Sequence, residues 1–410
     1  MTLDVTRIKQ DFPILAQQQD GKPLVFLDSA ASSQRPNQVV DAMTSFAQSD
    51  YANVHRGVYQ LAERATNRFE AARKAVASFI GAPNSNEVIF TKNATEAINL
   101  VAQSWGRANL GPDDAIVLTL MEHHANIVPW QILSAEVGFE IRWIEIDDDY
   151  NLDLSNLDQL LDGAKLLSFA QMSNVLGTTP PMDVLVAAAR KAGATVLVDA
   201  CQSVPHSATD VVKSDVDFIA FSGHKMLGPT GIGVLWGREE LLDAMPPFLG
   251  GGGMILNVTR EDFISAALPA KFEAGTPPIV QAIGLHAAVN YLEALGMGAI
   301  AAHEHELTKY ALKTLPDIVG ENLTIYGPSK AAGRGAVFSI GLETVHAHDT
   351  SQMLDQYAVC IRPGHHCAKP LMKKMGVSAT ARASLYIYND TDDVDALGAA
   401  LVAANDFFAL

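Results

Sequence analysis

Lys225 ends the tetrapeptide Ser222-Gly-His-Lys, which directly follows the apolar run Phe218–Ser222. A lysine at the carboxyl end of a strand reaches the crevice where open α/β sheets bind ligands. Partial desolvation lowers the pKa of an amine there, so that it can form a Schiff base. A surface lysine closing a strand would read the same way. A second apolar run, Thr195–Asp199, ends in a carboxylate. An aspartate at that edge can keep a pyridine nitrogen protonated and make the ring an electron sink, or it can simply close a turn. The gap of 26 residues between Asp199 and Lys225 leaves room for one crossover, so one crevice could hold both groups.

Four further segments carry chemistry. Thr91-Lys-Asn-Ala-Thr-Glu reads as a strand entering a helix. Free N–H groups of Ala94 and Thr95 would face an anion there, and the Thr95 hydroxyl could add a bond; an ordinary capped helix accounts for the residues equally well. Glu122-His-His, after the strand Ala115–Leu120, offers in His123 an imidazole able to stack on a flat ring and move a proton. Arg362-Pro-Gly-His-His-Cys places Cys367 beside two histidines in what reads as an exposed, bendable loop rather than a core strand. A thiol so placed can have a lowered pKa and act as a nucleophile. Cys201 and Cys360 lie in apolar runs and read as buried structural thiols. Arg382, entering the apolar run Ala383–Tyr388, has a planar guanidinium that can bind the α-carboxylate of an amino acid. A metal on the Glu122-His123-His124 segment with His365, His366 and Cys367 is the rival reading. No carboxylate–histidine spacing such as HExxH supports it, and we expect no metal.

The elements that must position these groups alternate short β-branched strands with amphipathic helices, the pattern of a largely parallel sheet covered on both faces. Helices are expected over Pro36–Tyr51, Leu61–Ile80 and from Asn93 to about Trp105, with Met182–Ala192 closed by Gly193. Strands are expected at Glu87–Thr91, Ala115–Leu120, Glu140–Ile146, Leu166–Gln171, Thr195–Asp199, Phe218–Ser222 and Ile232–Trp236. From about residue 297 the texture changes: a helix, Met297–Leu315, leads to strands Thr324–Tyr326, Ala336–Ile340, Val359–Arg362 and Ala383–Tyr388, and a helix Val394–Ala409 closes the chain. A chain of 410 residues exceeds the size of one hydrophobic core, so two domains are expected. These are a larger α/β domain over residues 26–296 and a smaller α+β domain formed by residues 1–25 and 297–410.

The net charge of −17 argues against nucleic acid and anionic membrane surfaces as partners. The first residues lack an apolar signal core, and no run approaches a membrane span. Three cysteines without paired spacing fit a reducing compartment, and a cytoplasmic location is expected.

Together these segments resemble the cysteine desulfurases of the SufS-like group, which includes selenocysteine lyases, within the class V aminotransferase family of fold-type I pyridoxal-phosphate enzymes. The resemblance runs over nearly the whole chain, through Phe26-Leu-Asp-Ser-Ala-Ala, Asn53-Val-His-Arg-Gly-Val-Tyr, Asn93-Ala-Thr-Glu-Ala-Ile-Asn and Met121-Glu-His-His-Ala-Asn. It continues through Val198-Asp-Ala-Cys-Gln, Ser222-Gly-His-Lys, Phe272-Glu-Ala-Gly-Thr-Pro and Arg362-Pro-Gly-His-His-Cys. It implies a fold-type I transferase, with pyridoxal 5'-phosphate in the larger domain and the cysteine loop on the smaller. By resemblance, Lys225 forms the Schiff base, Asp199 partners the pyridine nitrogen, Gln202 bonds the phenolic oxygen and His123 is the stacking acid/base. Thr95, Ser222 and His224 would hold the phosphate, with Thr276 reaching it from the other subunit of a homodimer. Arg382, helped by Asn174 and with Arg362 close by, would bind the carboxylate of L-cysteine. Cys367 would carry the persulfide, giving L-alanine and passing sulfur to an acceptor protein, SufE-like or SufU-like, for iron–sulfur cluster assembly. Selenocysteine lyase and aminotransferase are the alternatives on the same fold, although an aminotransferase has no use for Cys367. Two positions depart from the family's pattern. Gly253 stands where relatives often have a polar or acidic residue, and Pro363 where they often have a small or hydroxyl residue.

Overall fold

The computed structural model describes residues 3–343 and 345–408. Seven strands form the central sheet: β1 Val88–Thr91, β2 Ala115–Thr119, β3 Glu140–Ile144, β4 Ala164–Ala170, β5 Thr195–Asp199, β6 Phe218–Ser222 and β7 Gly233–Gly237. Their order is β1-β7-β6-β5-β4-β2-β3, and only β7 runs antiparallel to its neighbours. Val196 and Val198 pack on one face of the sheet and Leu197 on the other, as period-two alternation requires. The first face is covered by the helices Asn37–Ser49, Gln60–Phe79, Met182–Ala192 and Ile279–Leu295. On the second, Ile98, Val101, Trp130 and Leu133 meet Ile116, Leu118 and Leu197. Both faces are therefore buried, which is why the strands read as nearly continuous apolar runs.

A four-stranded antiparallel sheet follows: β8 Leu323–Tyr326, β9 Val337–Leu342, β10 Arg362–Gly364 and β11 Thr380–Ser384, in the order β8-β9-β11-β10. Its core sets Phe338, Ile340 and Ala383 against Leu307 and Ala311 of the helix Met297–Val319 and Leu397 and Leu401 of the helix Thr391–Phe408. Val25–Phe26 pairs in parallel with Val359–Cys360, tying the early chain to this layer. Ile8 and Phe12 instead bury against the large-sheet core.

Several expectations need correcting. Of the run Ala383–Tyr388 only Ala383–Ser384 is strand, the end of β11, which starts earlier; Leu385–Tyr388 turns away through the interior. Tyr386 donates to Pro205 O at 2.9 Å, and the Tyr388 hydroxyl shares a bond with Ser29 Oγ at 2.8 Å, so alternating aromatics here mark a buried polar turn. Arg382 sits in the middle of β11 rather than at its entrance. The expected strand Val359–Arg362 divides in two, its first half pairing with Val25–Phe26 and its second joining β11 as β10. Part of the supposed cysteine loop is thus a strand. The hairpin Ile255–Val258 with Phe263–Ser265 has no counterpart in the sequence reading. The expected end of the last helix, Ala409, lies outside the described residues.

Candidate active site

The carboxyl ends of β2, β5 and β6 open onto a cavity of about 240 Å³. Asp199 closes β5, Ser222 closes β6, and Lys225 follows in a tight turn, Gly223–Lys225. His123 comes from the segment after β2, and Ala94 and Thr95 from the start of the helix Ala94–Val101. The opposite wall belongs to the four-stranded layer, which contributes Arg362, Cys367 and Arg382, with Asn174 between. His224 lines the cavity as well. Two expected residues do not line it. Gln202 is buried, its Nε2 donating to Ala30 O at 2.7 Å while Oε1 has no partner. Thr276 lines separate cavities, one of about 460 Å³ beside Arg56, Glu70 and Glu273. That cavity is larger, but it holds no lysine, cysteine or sheet-end aspartate, so chemistry rather than size selects the site.

The Ala94 amide is already taken: it donates to Ser222 Oγ at 2.9 Å. Asn93 caps the same helix through a bond from Glu96 N at 2.9 Å. The Thr95 N–H and hydroxyl and the Ser222 hydroxyl hydrogen are therefore among the donors left to an anion, and Ala94 acts by fixing Ser222. Asp199 Oδ1 accepts from Cys201 N at 3.0 Å. Burial pushes the Cys201 thiol up to about 12, which keeps it protonated and inert as expected. Cys360 is only half-buried.

His123 Nδ1 accepts from Ala125 N at 3.0 Å, which leaves the proton of the neutral ring on Nε2. Burial, then the Lys225 charge, lowers its pKa to about 4, so the ring is neutral at physiological pH. His224 is lowered to about 4 for the same two reasons, with Arg35 adding to them. Beneath His123 lies a network that sequence reasoning did not find. Glu122 accepts from Thr119, from Asn126 Nδ2 at 2.7 Å and from Ala170 N at 2.9 Å. Asn126 Oδ1 in turn accepts from Ser168 and Trp130. These partners are scattered over residues 119–170, and no sequence spacing announces them.

Arg382 is buried and donates to Asn174 O at 2.9 Å; its Nη2 lies 3.4 Å from Asp28 Oδ1, and its Nε has no partner. Burial lowers its pKa to about 10, which marks a cation short of counter-charge. Arg362 is exposed and pairs with Asp28 Oδ2 at 3.0 Å. Asp28 thus occupies two guanidinium groups; its only sequence signal was the motif Phe26-Leu-Asp-Ser-Ala-Ala.

The Cys367 turn has consecutive left-handed residues, His366 (φ 48) and Cys367 (φ 56). Such backbone costs about 1–3 kcal/mol per residue and persists only where surrounding bonds over-determine it. His366 is buried, bonded through Nε2 to Thr380, and its carbonyl accepts from Asn174 at 2.8 Å. Cys367 is exposed. His124, His365 and Cys367 bring one potential ligand atom each within 4.8 Å of one another, the nearest approach to a metal set among the described residues. In both rings, however, an acceptor nitrogen already takes a backbone N–H, from Lys369 to His124 Nε2 and from Cys367 to His365 Nδ1. His366 faces away from this trio. Pro363 lies on the edge strand β10, where a missing N–H costs the sheet little. Gly253 has φ 92, a conformation that disfavours any side chain and gives a local reason for glycine there.

Comparisons with known proteins agree with one another. The family model described as aminotransferase class-V matches residues 25–397. A probable cysteine desulfurase of Streptomyces coelicolor is 50% identical over 99% of this chain and 98% of its own length. A cysteine desulfurase of Haloferax volcanii is 47% identical over 99% and 98%. Among solved structures, the apo cysteine desulfurase of Thermococcus onnurineus superposes with a TM-score of 0.93 at 39% identity, covering 100% of this chain and 99% of that one. The Escherichia coli cysteine desulfurase CsdA gives 0.89 at 35%, covering all of both chains.

Proposed function

Because the chain belongs to the class-V aminotransferase family and is a pyridoxal-phosphate-dependent cysteine desulfurase, we propose that Lys225 holds the cofactor and Cys367 receives the sulfur of L-cysteine. One observation carries this reading: an amine, a sheet-end carboxylate, a neutral imidazole, a buried guanidinium and an exposed thiol line one small cavity. The residues suit the cofactor. Thr95 N–H with the Ser222 hydroxyl offers donors to a phosphate, while Gln202 stays outside the cavity, its Nε2 on Ala30 O and its Oε1 without a partner. His224 would hold the same phosphate, and Asp199 a proton on the ring nitrogen. Thr276, outside this cavity, fits the role of a residue lent to a second subunit.

Bound there, pyridoxal phosphate supplies an aldehyde for amines and an electron sink for the bonds at the substrate's Cα. Arg382 binds the substrate carboxylate, which adds to the counter-charge that its buried guanidinium shares with Arg362 in Asp28, and Asn174 orients the guanidinium through its carbonyl. The Lys225 amine would take the Cα proton. His123, neutral and carrying its proton on Nε2, would face the bound ring and donate or accept a proton beside it. Cys367 as thiolate attacks the substrate sulfur: the S–S bond forms as the Cβ–S bond breaks. The electron pair of the broken bond stays with carbon; Cβ takes up a proton, Lys225 returns to Cα the proton it took, and alanine leaves. Sulfur then stands on exposed Cys367 as a persulfide, available to an acceptor protein for iron–sulfur cluster assembly.

The test is alanine and sulfide release from L-cysteine with a thiol reductant, comparing wild type with Cys367→Ala. Equimolar products, lost in the variant, are expected. A variant that retains the wild-type rate would assign the sulfur to another acceptor.

A further inference from the structure

The strained turn at His366 and Cys367 depends on bonds from outside it, and His124 supplies two. Its backbone N–H donates to Cys367 O at 2.7 Å, and its ring Nε2 accepts the Lys369 N–H at 3.0 Å. One residue therefore grips the chain on the thiol and two positions beyond it. We propose that His124 is a positioning residue for sulfur transfer, its ring holding the Cys367 turn in the geometry from which Sγ attacks; the inference rests on the reading of Cys367 as the sulfur acceptor. No role for this residue emerged from the sequence beyond that of a candidate metal ligand.

The alternative, a metal on His124, His365 and Cys367, asks for lone pairs that are in use. A neutral imidazole has one acceptor nitrogen. In His124 it is Nε2, bonded to Lys369 N, and in His365 it is Nδ1, bonded to Cys367 N at 3.1 Å. A cation would have to displace a backbone amide from each ring, or force its second nitrogen to lose a proton. The rings stand 5.6 Å apart at an interplanar angle of 36°, packed as a wall beside the thiol. The cluster is built to hold the turn.

The bond to Lys369 gives a geometry-specific test in the holoenzyme. A glutamine oxygen can take the place of Nε2, whereas an asparagine oxygen takes that of Nδ1 and cannot reach Lys369 N. The affinity for cysteine is read from the change it causes in the bound cofactor's absorbance. The rate at which Cys367 gains one sulfur atom is read by mass in a single turnover. His124→Ala and His124→Asn are expected to keep the wild-type affinity but slow sulfur gain by about 10–100-fold, because displacing a reacting group by ~1 Å costs on the order of 10²-fold. His124→Gln should recover most of the rate. Equal rates for Asn and Gln variants, or an Ala variant at the wild-type rate, would overturn the proposal. So would a loss of cysteine affinity that parallels the loss of rate. If the Ala variant does not fold, the Asn–Gln pair decides alone. A wild type that turns over cysteine without sulfur on Cys367 fails the underlying reading first, before any variant is made, and this inference falls with it.

Discussion

Glu122 shows how a single buried residue can set the site's response to pH. Its carboxyl has no contact with solvent, and burial outweighs the bonds from Thr119, Asn126 and Ala170, with the Asp199 charge adding to the shift. Its pKa rises from the ordinary 4.5 to about 8. The folded chain thus keeps a proton that the unfolded chain gives up above pH 4.5. The stabilising contribution is full below that value and is lost as pH climbs toward 8, at no more than ~1.4 kcal/mol per pH unit. Glu122→Gln removes this titration while keeping an amide oxygen at the Oε1 position, where Thr119 and Ala170 donate; its amide nitrogen then faces Asn126 Nδ2, a cost that is the same at both pH values. Denaturant unfolding at pH 5.5 and 7.5 should show the wild type losing stability relative to the variant as pH rises. His123, His224 and His366, all depressed, pull the opposite way in both proteins and cancel in the difference. Parallel pH profiles would mean that Glu122 is ionised in the folded chain.

At the scale of elements, the groups expected to bind the phosphate depend on a strand that carries none of them. A Cβ on Gly233 in β7 would lie 2.5 Å from the Asn93 backbone and 3.0 Å from Ala94 N, closer than real Cβ atoms come. The helix Ala94–Val101 can start where it does only because β7 presents no side chain there. Gly233→Ala must push that helix start away from Ser222, breaking the Ala94–Ser222 bond. The expected result is a folded protein that retains pyridoxal phosphate at least ~10-fold less well, a loss of the size one hydrogen bond to a charged group contributes. Unchanged retention on dialysis would remove the helix start from the site. Such dependences explain what the sequence made legible. Thr195–Asp199 and Phe218–Ser222 were readable to the residue because apolar runs buried on both sides end in polar stops, and Met182–Ala192 because an amphipathic helix ends at a glycine, Gly193 at φ 72. The run Leu385-Tyr-Ile-Tyr has the same alternation yet is no strand, since its hydroxyls find partners at Ser29 and Pro205, nearly two hundred residues away or more. Lys225, Asp199, His123, Arg382 and Cys367 announced themselves by type and by position beside strands. Asp28, Glu122 and the His124 ring act through partners that only the fold brings near.

For the whole molecule, one chain leaves apolar surface that water would disfavour. The hairpin Ile255–Val258 and Phe263–Ser265 exposes Leu256 at 77%, Val258 at 60%, Ile264 at 57% and Phe263 at 47%. Four large apolar side chains on one short hairpin are the mark of an interaction surface. A second copy is the occupant we propose, since Thr276 lies outside the cavity it is expected to serve. At a two-fold interface each substitution acts twice. Two chains of net charge −17 repel each other, so apolar burial must overcome a repulsion that salt screens. Light scattering should therefore give twice the chain mass, with the dimer tightening as ionic strength rises. The double variant Leu256→Glu, Ile264→Glu places four carboxylates in the contact and should shift the protein to monomer. Loss of cofactor should accompany the shift if Thr276 of one subunit completes the other's site. A monomeric wild type with full cofactor and full desulfurase activity would show that each chain's site is complete by itself, and the hairpin would then need another partner.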